Sequence, residues 1–198
     1  MLGERRLEFI LKSLRSVLPQ SHALCMQTNG MLLTNNILDL CASYRMSISI
    51  SLDGPKKIND RFRIDKKGEG THDKVISGIK KLRDHKASEF LYSGLLSVID
   101  PTSDPIENYN YFKSLEAPSV DFLYRDGNHV NLPFGKSSIN SAEYANWLCK
   151  LLDNYLEDKD PPKIRFLDDI IKLRLGGRGI KEGLGQSDYG IVIIETDG

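Results

Sequence analysis

The chain has 198 residues, 40% of them apolar, which is enough for one sizeable core and too few for two large independent domains. Lysine plus arginine and aspartate plus glutamate number 27 each, without any long block of like charges, so neither a nucleic-acid nor a membrane-surface partner is indicated. No apolar run approaches the ~20 residues of a transmembrane helix, and the charged start is unlike a signal peptide, so a cytoplasmic protein is expected.

The first elements alternate between helix and strand. Apolar residues recur at helical spacing over 7–18, and Pro19 ends that helix. A short apolar strand at 23–28 stops at an Asn-Gly turn, after which Thr34 can cap the next helix.

The alternation continues to residue 125. A strictly alternating strand at 46–52 leads into a long polar loop, and the later elements are a helix around 75–82, a strand at 89–100, a helix at 105–115 and a strand at 119–125. Strands that alternate with helices predict βαβ units and a parallel sheet.

The last third of the chain reads differently. Ser141 can cap an amphipathic helix, and a second helix follows over 164–175. The glycine-rich segment 176–185 lacks the Gly-Lys-Ser/Thr of a phosphate-binding loop and is interpreted as a flexible connector. A final strand is predicted at 190–198.

The three cysteines lie inside periodic apolar segments and share no short spacing. They are Cys25, Cys41 and Cys149. A metal site requires clustered ligands, so buried, reduced thiols are predicted and no metal ligand is assigned.

One face of the second predicted strand carries Ser47, Ser49 and Ser51, whereas the other face is apolar. Both faces of a helix-covered parallel sheet are normally apolar, so the serines indicate a cavity with a polar occupant. An antiparallel sheet with one hydrated face is the alternative.

Ligands of parallel α/β sheets collect at the carboxyl ends of the strands, where this strand is followed by Asp53-Gly54-Pro55. Arg61 or Arg63 in the loop could grip a ligand carboxylate with two hydrogen bonds. The alternative is that both arginines are ordinary solvated charges. A hydrolase is disfavoured, because no Gly-x-Ser-x-Gly elbow occurs and the four histidines are scattered.

The segments "QTNGMLLT" (27–34) and "SISLDGPKKINDRFRIDKKGEGTHDKVISGIKKL" (49–82) resemble radical SAM enzymes that mature peptides and proteins, the SPASM-type group that includes anaerobic sulfatase maturases. The later segments "VDFLYRDGNHVNLP", "NWLCKLLDNYLED" and "GIVIIETDG" resemble the branch that crosslinks peptide side chains to form cyclophanes.

The resemblance implies a partial (β/α)6 TIM-type barrel that binds S-adenosylmethionine beside a [4Fe-4S] cluster, here without its first two strands. The implied cofactor-binding residues are Gln27, Asn29, Ser51 and Arg63. Asp53 and Asp60 are typical of the family as loop-shaping residues, and Asn59 stands where these enzymes often have histidine. The loop residues Arg125, Asp126 and His129 follow a strand end and are candidates for substrate contact, with an ordinary polar loop as the alternative.

The chain departs from the family at both ends. The Cys-x3-Cys-x2-Cys motif that holds the cluster is absent, and the Gly-Gly-Glu-Pro turn would fall just before Met1. The sequence ends just ahead of the expected auxiliary-cluster region. Residues 1–135 are therefore interpreted as an incomplete radical SAM core, and 136–198 as a helical extension.

Three functions remain open on these grounds. The chain is expected to be a fragment of an enzyme whose 5'-deoxyadenosyl radical modifies a ribosomal peptide or protein, inactive alone, with a separate polypeptide as a possible source of the missing part. The alternatives are a non-catalytic module that binds S-adenosylmethionine or a peptide, and a product of gene decay.

Overall fold

The structure is a computed structural model that describes residues 3–179 and 184–185, with the following helices and strands. The helices are Glu4–Val17 (α1), Asn35–Ser43 (α2), Lys56–Phe62 (α3), His72–Arg83 (α4), Ser88–Leu91 (α5), Pro105–Ser114 (α6), Glu143–Glu157 (α7) and Arg165–Arg174 (α8). The strands are Leu24–Thr28 (β1), Met46–Ser51 (β2), Tyr92–Val98 (β3) and Val120–Leu123 (β4). The predicted strand at 190–198 lies outside the described residues, as does part of the predicted connector.

The four strands form one parallel sheet in the order β1-β2-β3-β4. This confirms the predicted α/β class with a parallel sheet and excludes the antiparallel alternative. The register places Gln27 beside Ser49, and Ser51 beside Leu96, which in turn lies beside Asp121. All strands run the same way, so their carboxyl ends meet at one edge of the sheet.

Helices cover the apolar face of the sheet. Ile48, Ile50 and Val120 are fully buried there, as alternation along a strand requires. The contact continues outward through a row of edge-to-face aromatic pairs, in which Phe122 lies 5.8 Å from Phe112 and 5.4 Å from Trp147 by ring centroids. Helices α7 and α8 contribute residues to the same core. The predicted division of the chain into a core of residues 1–135 and an extension of residues 136–198 stays a prediction.

The other face of the sheet is polar and partly open. Cys25 and Gln27 are exposed, and Ser47 and Ser49 are half-buried with hydroxyls that donate 3.4 Å hydrogen bonds to the carbonyls of Leu24 and Gly94. The serine face is therefore accessible to an occupant.

Three predictions of local structure are wrong. The polar loop after β2 contains α3, which Pro55 starts with a preset φ of −53° and which buries Ile58. The predicted strand at 89–100 begins with the short helix α5. Ser141 does not cap α7: Ala142 stands at that position, and the Ser141 hydroxyl donates to the Ser138 carbonyl instead.

The prediction of three buried thiols is also wrong, since only Cys41 is buried. Cys25 alternates with the buried Leu24 and points to the open face of the sheet. Cys149 lies on the solvent side of α7, next to Lys150 in the chain. Periodicity placed both cysteines in the right elements but not on the right faces. The predicted Thr34 cap is confirmed, since its hydroxyl accepts a 3.3 Å bond from the Ile37 amide.

Helix α4 packs directly on the turn after β1. A Cβ atom added to Gly78 in α4 would lie 2.2 Å from the Gly30 carbonyl oxygen, so only a glycine allows this approach. Gly30 itself has a φ of +72°. The turn that ends β1 is thus fixed by a helix distant in sequence.

The two edges of the sheet differ. Within the described residues, β1 has no neighbour beyond β2, whereas the start of β4 is continued by Lys163, whose carbonyl accepts a 2.8 Å bond from the Val120 amide. No helix in the described part of the chain has the length and apolar content needed to cross a bilayer.

Candidate functional site

The candidate site begins where β2 ends. The turn at Gly54 has a φ of +134°, and a Cβ there would lie 2.3 Å from Oδ1 of Asn108, so a side chain is excluded both by conformation and by space. The glycine brings the loop directly against α6, and α3 follows at once.

Asp53 organises the loop. Its carboxylate accepts two hydrogen bonds from Arg63, 2.6 Å from Nε and 2.8 Å from Nη2, and a third of 2.9 Å from the Val98 amide. The aspartate is 6% exposed. A buried carboxylate is stable only when it is paired and hydrogen-bonded, and here one side chain joins the end of β2, the end of α3 and the end of β3.

Asn59 holds the same loop from inside. It is fully buried, its Oδ1 accepts a 3.2 Å bond from the Asp53 amide, and its Nδ2 donates to Asp60 at 3.0 Å and to Thr71 at 3.4 Å. A short amide offers an acceptor and two donors together. The departure from histidine therefore has a physical role in this chain, which is to fix the backbone of the loop.

Gln27 and Ser51 meet across neighbouring strands. The Gln27 Nε2 donates a 3.1 Å bond to the Ser51 Oγ, which leaves the Ser51 hydroxyl hydrogen to be donated elsewhere. Asn29 is exposed in the turn, where its Oδ1 accepts a 3.3 Å bond from the Met31 amide. The structure thus brings Gln27 and Ser51 together, while Asn29 shapes the turn.

The two-bond grip that the sequence suggested for Arg61 or Arg63 forms within the protein, between Arg63 and Asp53. Arg61 instead makes single bonds, 3.1 Å to Asp100 and 2.9 Å to Thr102. Sequence reasoning missed Asp100 and Thr102, although an aspartate followed by proline directly after a buried strand was a usable signal.

These last residues line a cleft of about 320 Å³ between α3 and the start of α6. The cleft is bordered by Lys57, Ile58, Arg61, Asp100, Thr102, Ser103, Asp104 and Glu107. Four of its charged residues form two ion pairs, Arg61 with Asp100 at 3.1 Å and Lys57 with Glu107 at 2.9 Å.

The donors at the end of β2 suit a ligand carboxylate. Asp53 uses Nε and Nη2 of Arg63, and Nη1 makes no hydrogen bond to a described residue, so this nitrogen can donate to a second carboxylate. The chain does not suit an iron–sulfur cluster, since its 198 residues lack Cys-x3-Cys-x2-Cys, and no group of three potential metal ligands occurs within 3–179 and 184–185.

Comparison with known proteins points to one group. No family model matches the chain. It is 27% identical over 150 residues to a serine-type anaerobic sulfatase-maturating enzyme of Bacteroides thetaiotaomicron, covering 68% of this chain and 36% of the relative. It is 29% identical over 181 residues to a cysteine-type anaerobic sulfatase-maturating enzyme of Clostridium novyi, covering 87% and 46%.

Solved structures agree at the level of the fold. Native anSMEcpe with bound AdoMet superimposes with a TM-score of 0.76 and 22% identity over 90% of this chain and 50% of that one. The complex of the same protein with AdoMet and the Kp18Cys peptide gives 0.75 and 21%, over 90% and 51%. The chain therefore spans between about a third and a half of the length of these proteins.

The parallel sheet is thus a partial TIM-type barrel of the kind found in those structures. Over the part of their length that it spans, the chain is a homologue of the anaerobic sulfatase-maturating enzymes.

Proposed function

We propose that this chain holds the methionine end of S-adenosylmethionine in a radical SAM maturase that modifies a side chain of a ribosomal peptide or protein. The observation that carries the proposal is the Arg63–Asp53 pair next to Ser51, at the carboxyl end of β2. The AdoMet bound to the neighbouring structures and the peptide in one of them support it.

The residues divide the work of binding. Asp53 fixes the plane of the Arg63 guanidinium, so that Nη1 is oriented before the ligand arrives. Gln27 donates to the Ser51 oxygen and thereby turns the hydroxyl hydrogen toward the ligand. Asn29 stabilises the turn after β1, since its Oδ1 accepts the hydrogen bond of the Met31 amide. The bound cofactor would supply the radical chemistry, and the residues of this chain would supply its position.

The first experiment is a calorimetric titration of the iron-free chain with S-adenosylmethionine. We expect Arg63→Met to weaken binding by about tenfold, because a charge-assisted hydrogen bond to the carboxylate is lost. Ser51→Ala should weaken it less. Ser47→Ala is the matched control, since it lies on the same face at the other end of the strand and should leave the affinity unchanged. If Arg63→Met, Ser51→Ala and Ser47→Ala all bind S-adenosylmethionine with the same affinity, the proposed site is contradicted.

We also propose that these 198 residues alone do not cleave the cofactor, because they contain no Cys-x3-Cys-x2-Cys motif. A separate polypeptide with that motif is then the expected partner, in the cytoplasm. Anaerobic incubation with dithionite should yield no 5'-deoxyadenosine above the background without protein. Formation at enzymatic rates would disprove this.

A second candidate function is a non-catalytic module that binds S-adenosylmethionine or a peptide. It is favoured because the chain has hydrogen-bond donors suited to a carboxylate at Arg63 but contains no Cys-x3-Cys-x2-Cys motif. The module is favoured if the iron-free chain binds S-adenosylmethionine but no partner with the cysteine motif restores cleavage of the cofactor. A chain that does not bind S-adenosylmethionine at all would favour gene decay. Within the maturase proposal, crosslinking to a cyclophane is the finer assignment, for which mass loss of two hydrogens in a peptide is the signature.

A further inference from the structure

A pair of phenylalanines lies between two arginines at the carboxyl ends of β2 and β4. The rings of Phe62 and Phe134 meet edge to face, with centroids 5.0 Å apart. The Cζ of Arg125 lies 3.9 Å from the Phe62 centroid and 5.6 Å from that of Phe134. The Cζ of Arg61 lies 4.8 Å from the Phe134 centroid. Sequence reasoning considered Arg125 as a substrate residue but had no means of finding the aromatic pair.

Arg125 differs from the other arginines of this region in having no acidic partner. Arg61 pairs with Asp100, and Arg63 with Asp53, whereas Arg125 makes no hydrogen bond or ion pair with any residue of the described ranges. Its Nε is buried and unpaired. Buried polar groups are almost always satisfied, so the Nε of Arg125 lacks the acceptor that such an atom normally has.

The stacking on Phe62 prepares the guanidinium for a planar ligand. Attraction to the ring face fixes the plane of the side chain and leaves its N–H edges for hydrogen bonds, the arrangement in which arginine binds carboxylates. Asp126 is next in the chain but is exposed, and it forms no ion pair with Arg125 within the described part of the chain.

The surroundings of Arg125 suit an extended peptide better than a small ion. The segment after β4, which contains Arg125, also carries exposed apolar side chains, with Tyr124 at 55%, Val130 at 75% and Leu132 at 37% exposure. Phe134 is also 37% exposed. Apolar side chains combined with one oriented polar group are common in ligand sites.

We propose that Arg125 binds the side-chain carboxylate of an acidic residue in the substrate peptide, with Phe62 and Phe134 packed against the methylene groups of that residue. The inference rests on the proposed peptide-modifying function for its biological meaning. It assigns to the maturase a preference for aspartate or glutamate near the modified position, and it makes Arg125 a specificity residue rather than a catalytic one.

The test compares the peptide acetyl-Gly-Leu-Glu-Leu-Gly-amide with its glutamine counterpart, by calorimetric or NMR titration of the full chain. We expect the wild type to bind the glutamate peptide about fivefold more tightly, the magnitude of one charge-assisted hydrogen bond at a partly exposed site. The preference should shrink as salt is raised. It should vanish in Arg125→Met and fall to an intermediate value in Arg125→Lys, which keeps the charge but not the planar fork.

Arg174→Met in the last turn of α8 is the matched control and should keep the full preference. Equal binding of both peptides by the wild type, or a preference that survives in Arg125→Met, would overturn the proposal and leave Arg125 as a packing residue. A third peptide, the glutamine version with a free carboxyl terminus, separates the sources of the carboxylate. If only this peptide gains affinity, the assignment to an acidic side chain is wrong.

Thermal melting of each variant shows whether it is folded. If Arg125→Met does not fold, the reduced preference of Arg125→Lys tests the proposal instead. The same proteins are titrated with S-adenosylmethionine, whose affinity Arg125→Met should not change. A wild type that prefers glutamate but binds no S-adenosylmethionine would refute the proposed function and leave this inference standing. The reverse outcome would refute the inference alone.

Discussion

Asp158, at the end of α7, illustrates how a single residue can join two helices. Its carboxylate accepts hydrogen bonds from Lys113 at 2.5 Å, from the Tyr109 hydroxyl at 2.8 Å and from the Asp160 amide at 2.9 Å. The Lys113 ammonium, followed by the Asp160 amide and the Tyr109 hydroxyl, lowers the pKa of Asp158 from 3.8 to about 2. The end of α7 is thereby pinned to α6.

This pKa predicts the acid response of the fold. A carboxyl whose pKa is depressed by folding stabilises the protein above its unfolded value near 3.8, and that contribution is lost as the pH falls toward about 2. We expect Asp158→Asn to lower the melting temperature at pH 7, and the difference from wild type to shrink between pH 4 and pH 2.

Melting curves by circular dichroism over that range are the measurement. Asp153→Asn, an exposed aspartate on the same helix, is the control and should change little at any pH. A difference between Asp158→Asn and wild type that stays constant with pH would contradict the assigned role of the carboxylate.

At the same scale, the sequence identified residues better than it identified their contacts. Asp53 was interpreted as a loop-shaping residue from the resemblance, and its three hydrogen bonds agree with that role. The partner of Arg63 was not predictable, because two arginines and several acids in one loop allow many pairings. The pairing depends on where α3 ends, and α3 was not predicted.

At the scale of elements, hydrophobic periodicity located the strands and the long helices, because each buries an apolar face with a regular period. It failed for α3 and α5, which have seven and four residues. Helices of about two turns and one turn are too short to show a repeated pattern of buried positions. Their helical state comes from Pro55 in one case and from packing of Leu91 in the other.

The contact between α4 and the turn after β1 gives a prediction that opposes helix propensity. Alanine in place of a helical glycine normally gains about 1 kcal/mol. In Gly78→Ala the new methyl group would lie 2.2 Å from the Gly30 carbonyl oxygen. Since overpacking typically costs about 1–3 kcal/mol, we expect a net decrease in the free energy of unfolding.

Urea denaturation measures the change, with Ser77→Ala as the control on the exposed side of α4. The control should be neutral or slightly stabilising. A Gly78→Ala protein more stable than wild type would show that α4 can move away from the turn without loss.

For the whole molecule, the open side of β1 has the largest consequence. The backbone groups along that side have no partner strand within the described residues, and an unprotected edge can pair with the edge of another molecule. We expect the isolated 198-residue chain to associate as its concentration rises, as followed by light scattering.

Cys25→Lys places a charge on the open face of β1 and should reduce the association, because charged side chains on edge strands oppose edge pairing. Cys149→Lys, at the exposed cysteine of α7, should not. A wild-type chain that is monodisperse over the whole concentration range and melts cooperatively would disprove the expectation.

The three hydrogen bonds of Asp53 also couple places that are far apart in sequence. A ligand carboxylate that shifts the Arg63 guanidinium would also shift the Asp53 carboxylate, which accepts the hydrogen bond of the Val98 amide on β3. By thermodynamic reciprocity, whatever steadies the end of β3 must then favour occupancy next to Ser51, and occupancy must steady β3 to the same degree. If the proposed carboxylate site beside Arg63 is correct, hydrogen exchange of the Val98 amide should slow when that site is occupied.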